Sequence, residues 1–381
     1  MTIAAALPTP IAVRSAIVHD WFQGYHGAER TVEAMRSGLF ATSNQPDVFT
    51  FFAARDLIPS DLAVCIVRES RLARLPGIRQ RGHGRGRWRY LLPLMPRFFA
   101  RLCLDEYDLV ISSSHAFAVN ARPLNAVHVC YCYTPLRYAW LPDVDTRGEH
   151  SPSGVALRVI RGQLSEIDRK ASRGPDAYIA ISEAVRTRIK RFYGREARVI
   201  HPPVDIEDFD ASQPKERGHF LWVNRLVPYK HPLAVAEAFR GTPHRLTMVG
   251  TGPLEPALRR TLPPNVHLHG WLPRDELARL FATASGFVHV GEEDFGISMV
   301  EALAAGTPVV ALGRGGALDI VRPDADGVLI REPDADEIRA AVDEVARRRW
   351  DASALAARAQ RFSRERFVAA FRLELERLGV R

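Results

Sequence analysis

Residues 291–306 read GEEDFGISMVEALAAG, and the organisation of the chain can be built outward from them. An acidic loop runs into an almost wholly apolar stretch whose spacing predicts a short helix from about residue 297 to 305. Gly306, Thr307 and Pro308 end that helix, and the apolar run 309–312 follows as a strand. Residues 286–290 form the strand that delivers the loop. Glu301 is out of place. It sits among Met299, Val300, Ala302, Leu303 and Ala304, where an unpaired carboxylate is costly to bury. The plain alternative is that it points to solvent. Glu293, however, lies eight positions earlier in the loop, so one acid approaches from the loop and another from the helix. Between them the backbone N–H groups of Phe295, Gly296, Ile297 and Ser298 are expected to form a helix N-terminus that attracts an anion. Two acceptors beside an anion site suit a ligand with hydroxyls at both ends and phosphate in the middle, as in a nucleotide sugar.

The bulk properties narrow the class. A chain of 381 residues predicts two domains. The apolar fraction of 46% and the charged fraction of 25% are those of an ordinary globular protein. No run of eighteen apolar residues exists, so no membrane-spanning helix is expected. Residues 1–14 lack a secretion signature and read as a flexible leader. Four cysteines suit a reduced cytoplasm, and Cys130 and Cys132 fall in an apolar strand with the wrong spacing for zinc. The net charge of +8 is carried by arginine. Between Arg68 and Arg101 there are ten arginines and one acid, Glu69, interleaved with Leu72, Leu75, Trp88, Tyr90, Leu91, Leu92, Leu94, Met95, Phe98 and Phe99. That mixture predicts a helix lying on an anionic membrane surface. A solvated arginine face over a normal core is the bland reading. Nucleic acid is not expected as a partner, because no recognition motif accompanies the patch.

Along the chain, strand, loop and helix alternate. Residues 13–19 read as a strand, followed by a glycine-bearing loop through His26 and Gly27 and then a helix, which is the opening of a doubly wound sheet. Residues 47–52, 107–111 and 126–133 are further strands. His115 stands just past one of them, where parallel sheets bind ligands. Residues 177–181 and 198–200 are strands, and the pair Pro202-Pro203 marks the crossing into a second domain. There the alternation restarts: 220–223, 246–249, 266–269, 286–290 and 309–312 are strands. Arg225 and Lys230 flank the first strand-to-helix turn of this half, where two cations could neutralise a diphosphate. Asp143 and Asp145 match the spacing of a metal-binding pair, but so do Asp324/Asp326 and Asp334/Asp336. No metal or other cofactor is expected. The domains read as 1–203, 204–360, and a final amphipathic segment 361–381 that packs back onto the first.

These motifs carry a family resemblance. EEDFGISMVE with its paired acids, NRLVPYK, GRGGALDIV, DLVISSSHAFA, YCYTPLRYAW and HDWFQGYHGAE together resemble the retaining glycosyltransferases of family 4, over nearly the whole chain after residue 15. The resemblance is to bacterial enzymes that use GDP-mannose to build polyprenyl-linked O-antigen or exopolysaccharide units. It implies an α/β chain of the GT-B fold, two Rossmann-like domains facing across a cleft, acting without metal at the inner face of the cell membrane. Arg225 and Lys230 would meet the donor diphosphate, and Gly27 would lie against it. Glu293 would hold the sugar hydroxyls, helped by the N–H groups of residues 295–298, and Glu301 the ribose. His115 would contact the sugar near the reacting carbon. His26, Tyr133 and Arg137 would face the acceptor, a lipid-linked glycan. Relatives usually have Gly-Gly at His26-Gly27, His at Tyr133 and an acid at Leu141, so the acceptor side departs from the pattern more than the donor side. Rival readings are a nucleotide-sugar epimerase, a transferase using a UDP-sugar, and a non-catalytic membrane- or nucleic-acid-binding protein.

Overall fold

Ser15–His19 (β1) is buried at every position, the signature of a strand covered on both faces. The same logic builds two parallel sheets. The computed structural model describes residues 11–78, 87–141 and 152–380. The expectations for residues 1–10 and for Asp143 and Asp145 lie outside the described residues, as does the middle of the basic segment. The chain divides into two units, Met1–Pro203 with Arg364–Arg381, and Val204–Ser363.

In the first unit β1 is joined by Asp47–Thr50 (β2), Ile66–Arg68 (β3), Leu109–Ser114 (β4), Val127–Cys132 (β5), Ala177–Ala180 (β6) and Arg198–Val199 (β7). They run parallel in the order β3-β2-β1-β4-β5-β6-β7. In the second unit Glu216–Val223 (β8), Arg245–Val249 (β9), Val266–His269 (β10), Ala284–His289 (β11), Val309–Leu312 (β12) and Gly327–Ile330 (β13) form a parallel sheet ordered β10-β9-β8-β11-β12-β13. Each sheet grows outward in both directions from its first strand. The crevice at the carboxyl ends of β1 and β4, and of β8 and β11, is where such sheets receive ligands.

The basic segment departs from expectation. Pro93 and Pro96 each remove a backbone donor and interrupt a continuous helix. The chain instead forms 3-10 turns at Arg71–Arg74 and Arg87–Leu94 and one short helix, Met95–Phe99. Trp88, Leu92, Met95 and Phe99 are buried in the core of the first unit, and Leu72, Leu91 and Phe98 pack against it. The apolar side chains assigned to a membrane are thus mostly spent on the core, and among the described residues of the segment no long surface-lying helix forms. Tyr90, Leu75 and Leu94 stay exposed. No helix among the described residues is long and apolar enough to cross a membrane.

The last helix, Arg364–Arg377, is stitched to the first, Gly27–Leu39. Arg372 donates to the carbonyls of Gly38 at 3.1 Å and Leu39 at 2.9 Å, and Arg364 pairs with Glu33. Gly38 is required there, because a Cβ would stand 2.3 Å from Val368. Phe367 and Phe371 meet the Tyr131 ring at 5.7 and 5.9 Å.

At the head of the first sheet the register sets His19 of β1 beside Ser113 of β4. Asp20, the next residue, is fully buried and faces the turn after β4. Its carboxylate accepts four backbone N–H groups, from His115 (2.7 Å), Ala116 (2.9 Å), Phe117 (2.5 Å) and Ala118 (2.7 Å). A buried carboxylate is tolerable only with such satisfaction, and the N–H groups of the turn in turn need an acceptor. Asp20→Asn places an amide NH₂ against these donors and should cost about 3 kcal/mol in urea denaturation. A loss under about 0.5 kcal/mol would show that the turn holds without the carboxylate.

His128 is 1% exposed, bonded to Ser112 Oγ at 3.0 Å, and burial pushes its pKa down to about 4 despite Asp176. The unfolded chain protonates this ring first. Stability from it is therefore present above about pH 6.5 and is lost on acidification, at about 1.4 kcal/mol per pH unit, down to about pH 4. Asp168 and Glu29 act with the opposite sign, since burial raises them to about 6 and about 7. His128→Gln should flatten the acid limb of the stability profile by that slope relative to the parent, measured by denaturation at pH values between about 4.5 and 6.5.

Candidate active site

The second unit gathers acids and cations at the carboxyl ends of β8 and β11. After β8 the chain makes a 3-10 turn, Pro228–Lys230, that aims Lys230 inward. Its side chain is 5% exposed and is ion-paired with Glu293, from the loop after β11. Gly291 makes the approach possible, since a Cβ there would lie 2.8 Å from Lys230 Cδ and 3.1 Å from the Tyr229 carbonyl. The far side of the loop is clamped by the turn after β12. Gly316 donates its N–H to the Glu293 carbonyl at 2.9 Å, and a Cβ on Gly316 would stand 2.2 Å from the Phe295 carbonyl.

The helix proper is Ile297–Ala304, with Gly296 at its N-cap in a left-handed conformation, φ 105°. Ile297 and Ser298 therefore open the helix, whereas Phe295 lies outside it. The Phe295 ring packs on Phe362 with centroids 5.5 Å apart. His289, the last residue of β11, is buried beneath the loop. Its Nδ1 lies 3.2 Å from Asn224 Nδ2 and 3.3 Å from Ser298 Oγ, and its Nε2 is 3.5 Å from Glu293 Oε1. Burial first, and then the Lys230 charge, hold the ring well below the usual histidine pKa, so it is neutral.

Glu301 is on the second turn of the same helix and 8% exposed. It is not the unpaired carboxylate that the apolar sequence suggested. Arg274, the first residue of the helix Arg274–Thr283, donates from Nη1 to Glu301 Oε1 at 2.5 Å. Arg225 stands apart. It is exposed, and its guanidinium makes no hydrogen bond or ion pair among the described residues. The structure thus joins Lys230 to Glu293 and Glu301 to Arg274, and leaves Arg225 out of both pairs.

The first unit gathers a second group. His115 follows β4, with Nδ1 3.3 Å from Asp20 Oδ2. The Trp21 ring meets it edge-on at 4.5 Å, and the His19 and Tyr133 rings lie at 5.8 and 6.2 Å. Burial lowers the His115 pKa, Asp20 opposes this, and Arg137 on the short helix Arg137–Trp140 lowers it further. The ring is neutral at physiological pH. The Tyr133 hydroxyl lies 3.1 Å from Ser113 Oγ and donates to the Ala28 carbonyl at 3.1 Å, which ties β5 to the start of the first helix. His26 precedes that helix and donates its N–H to Glu29 at 3.0 Å, while the Gly27 carbonyl accepts from Thr31 at 2.8 Å. His26, Gly27, His115, Tyr133 and Arg137 therefore share one neighbourhood.

Sequence reasoning missed Asp20, His19, Asn224, His289 and Arg274. Two of these had a legible signal. His19 and His289 each end an otherwise apolar strand beside a switch point, a polar residue where a buried parallel strand has no use for one.

Comparison with known proteins agrees with this layout. The model of glycosyltransferase family 4 matches residues 25–208, and that of glycosyl transferases group 1 matches residues 204–364. A GDP-mannose-dependent alpha-mannosyltransferase of Mycolicibacterium smegmatis is 35% identical over 138 residues, 33% of this chain and 36% of that one. The chain thus aligns with about a third of that relative's length. A GDP-mannose-dependent alpha-(1-6)-phosphatidylinositol monomannoside mannosyltransferase of Mycobacterium tuberculosis is 27% identical over 228 residues, 51% of this chain and 58% of that one. Among solved structures, the sucrose-phosphate synthase of Thermosynechococcus elongatus superposes with a TM-score of 0.71 at 17% identity, covering 96% and 99% of the two chains. Anabaena HepE in complex with UDP gives 0.66 at 18%, covering 95% and 99%. With two parallel-sheet units in this order and the two family models together running from residue 25 to residue 364, the chain belongs to the family-4 glycosyltransferases of GT-B fold.

Proposed function

We propose that the chain is a retaining, metal-independent hexosyltransferase that moves mannose from GDP-mannose onto a polyprenyl-diphosphate-linked glycan. The observation that carries this reading is the buried Lys230–Glu293 pair beside the opening turn of the helix Ile297–Ala304. A diphosphate there meets an ammonium and unpaired helix N–H groups together. Lys230 exchanges Glu293 for the phosphate, and the released carboxylate turns to the sugar hydroxyls. Arg225, exposed and without an ion pair among the described residues, supplies a second cation. Glu301 takes the ribose. As the bond to the anomeric carbon breaks, charge grows on the β-phosphate, and a cation about 4 Å away is worth on the order of 4 kcal/mol at an effective dielectric near 20. The departing phosphate oxygen takes the acceptor proton, since no enzyme nucleophile is assigned. In the first unit, neutral His115 contacts the sugar, and His26, Gly27, Tyr133 and Arg137 serve the acceptor side.

GDP-mannose is supported by the names of the curated relatives, and a UDP-sugar by the UDP complexes among the structural neighbours. The lipid-linked acceptor is supported by the phosphatidylinositol relative. The proposed location at the cytoplasmic face of the membrane is supported by the exposure of Tyr90, Leu75 and Leu94 in the arginine-rich segment.

A thermal-shift screen of GDP-, UDP- and ADP-sugars tests the donor. GDP-mannose at a hundred times its Kd should add about 2.7 kcal/mol of stability, more than the other sugars at equal concentration. A larger shift with a UDP-sugar overturns the base assignment. Turnover that needs no acceptor lipid points to an epimerase instead. Lys230→Ala should lower kcat about a hundredfold or more with the fold retained by circular dichroism; undiminished turnover removes Lys230 from the mechanism.

A further inference from the structure

Arg274 occupies a position that does nothing for its own helix. It is the first residue of Arg274–Thr283, where the helix dipole repels a cation and favours acids such as its neighbours Asp275 and Glu276. Its guanidinium is turned elsewhere: Nε and Nη1 donate hydrogen bonds, and the buried Nη2 sits in ion-pair range of Asp208 without a hydrogen bond among the described residues. Nε and Nη2 lie 3.1 Å from Asp208 Oδ2, and Nη1 lies 2.5 Å from Glu301 Oε1. The guanidinium also covers the Phe209 ring at 4.9 Å. Its plane is thereby fixed by the turn Ile206–Asp208 on one side and the helix Ile297–Ala304 on the other.

The consequence falls on Glu301. A carboxylate in an apolar helix either takes a proton or finds a cation. Arg274 supplies the cation from one direction and engages one oxygen only. Among the described residues the other oxygen, Oε2, accepts no hydrogen bond. The result is an acid pinned in rotation by its arginine, with one oxygen already bound and one available. Such a group accepts hydrogen bonds from a pair of neighbouring hydroxyls in a set direction. A free-swinging glutamate would lose that direction.

We propose that Arg274 is the positioning residue for Glu301, and that through it the Asp208–Arg274–Glu301 chain sets discrimination for a ribose over a deoxyribose in the nucleotide. This rests on the reading that Glu301 receives the ribose hydroxyls. Arg274 need not touch the nucleotide at all. Its effect is confined to the part of the affinity that the 2′- and 3′-hydroxyls contribute.

The test compares binding of the tightest of GDP, UDP and ADP with that of its 2′,3′-dideoxy counterpart, by calorimetry. The parent should prefer the ribonucleotide by roughly tenfold to a hundredfold, the range for hydrogen bonds to a charged group. Arg274→Met should erase most of that preference while leaving dideoxynucleotide affinity within about threefold of the parent. Glu301→Gln should do the same, and the double variant should lose no more than either alone. Asp208→Asn, which loosens the clamp without touching Glu301, gives a second, milder variant and should show an intermediate preference. Unliganded melting temperatures confirm that each variant is folded. If Arg274→Met weakens both nucleotides equally, or keeps the ribose preference intact, Arg274 is only a brace and the proposal falls while the ribose reading stands. If the parent binds no nucleotide or shows no preference, the ribose reading falls and takes the proposal with it.

Discussion

An ammonium that is 5% exposed must have a counter-charge, and in this chain Lys230 has Glu293. The arrangement around the second sheet's switch point follows from satisfying that pair. Gly291 lacks a side chain so that the loop can lie on the lysine stem. Gly316 lacks one so that the turn after β12 can hold the back of the same loop. His289 stays neutral beneath them, because a second positive charge beside Lys230 in a desolvated place would be untenable. A diphosphate is the kind of ligand that can replace the carboxylate without stranding the ammonium.

The two units solve a similar problem with different chemistry. In each unit one strand beside the switch point ends in a buried histidine, His19 on β1 and His289 on β11. In the first unit the adjacent carboxylate, Asp20, is spent on backbone N–H groups and fixes a turn. In the second, the adjacent carboxylates are spent on side-chain cations, Lys230 and Arg274, which a ligand can compete for. One head is therefore set rigidly, while the other carries exchangeable charge.

Much of this was legible from residue order alone. The run Val309–Leu312 and the eight-residue helix before it follow from apolar spacing bounded by glycine and proline. Both sheets follow from strand and helix alternating twice. What escaped notice depended on distance in sequence. Arg274 meets Glu301 across 27 positions, and Asp20 meets the turn after β4 across 95 or more, so no local pattern announces either. Strand β13 was missed because Gly327–Ile330 sits among acids and prolines that read as loop, yet it is drawn into the sheet by β12. The basic segment was misread for the converse reason. Its aromatic residues suit an interface equally well as a core, and only the prolines hint that no long helix can present them together.

The second unit is closed at its own base. Val204 bridges Ser363, and the Val204 N–H donates to the Phe362 carbonyl at 2.9 Å, so the strand of backbone going in lies against the strand coming out. The second unit is thus an insert with a zipped neck, whose first and last residues are already neighbours. Such a cassette can be lifted out or exchanged between relatives as one piece, with no linker to redesign.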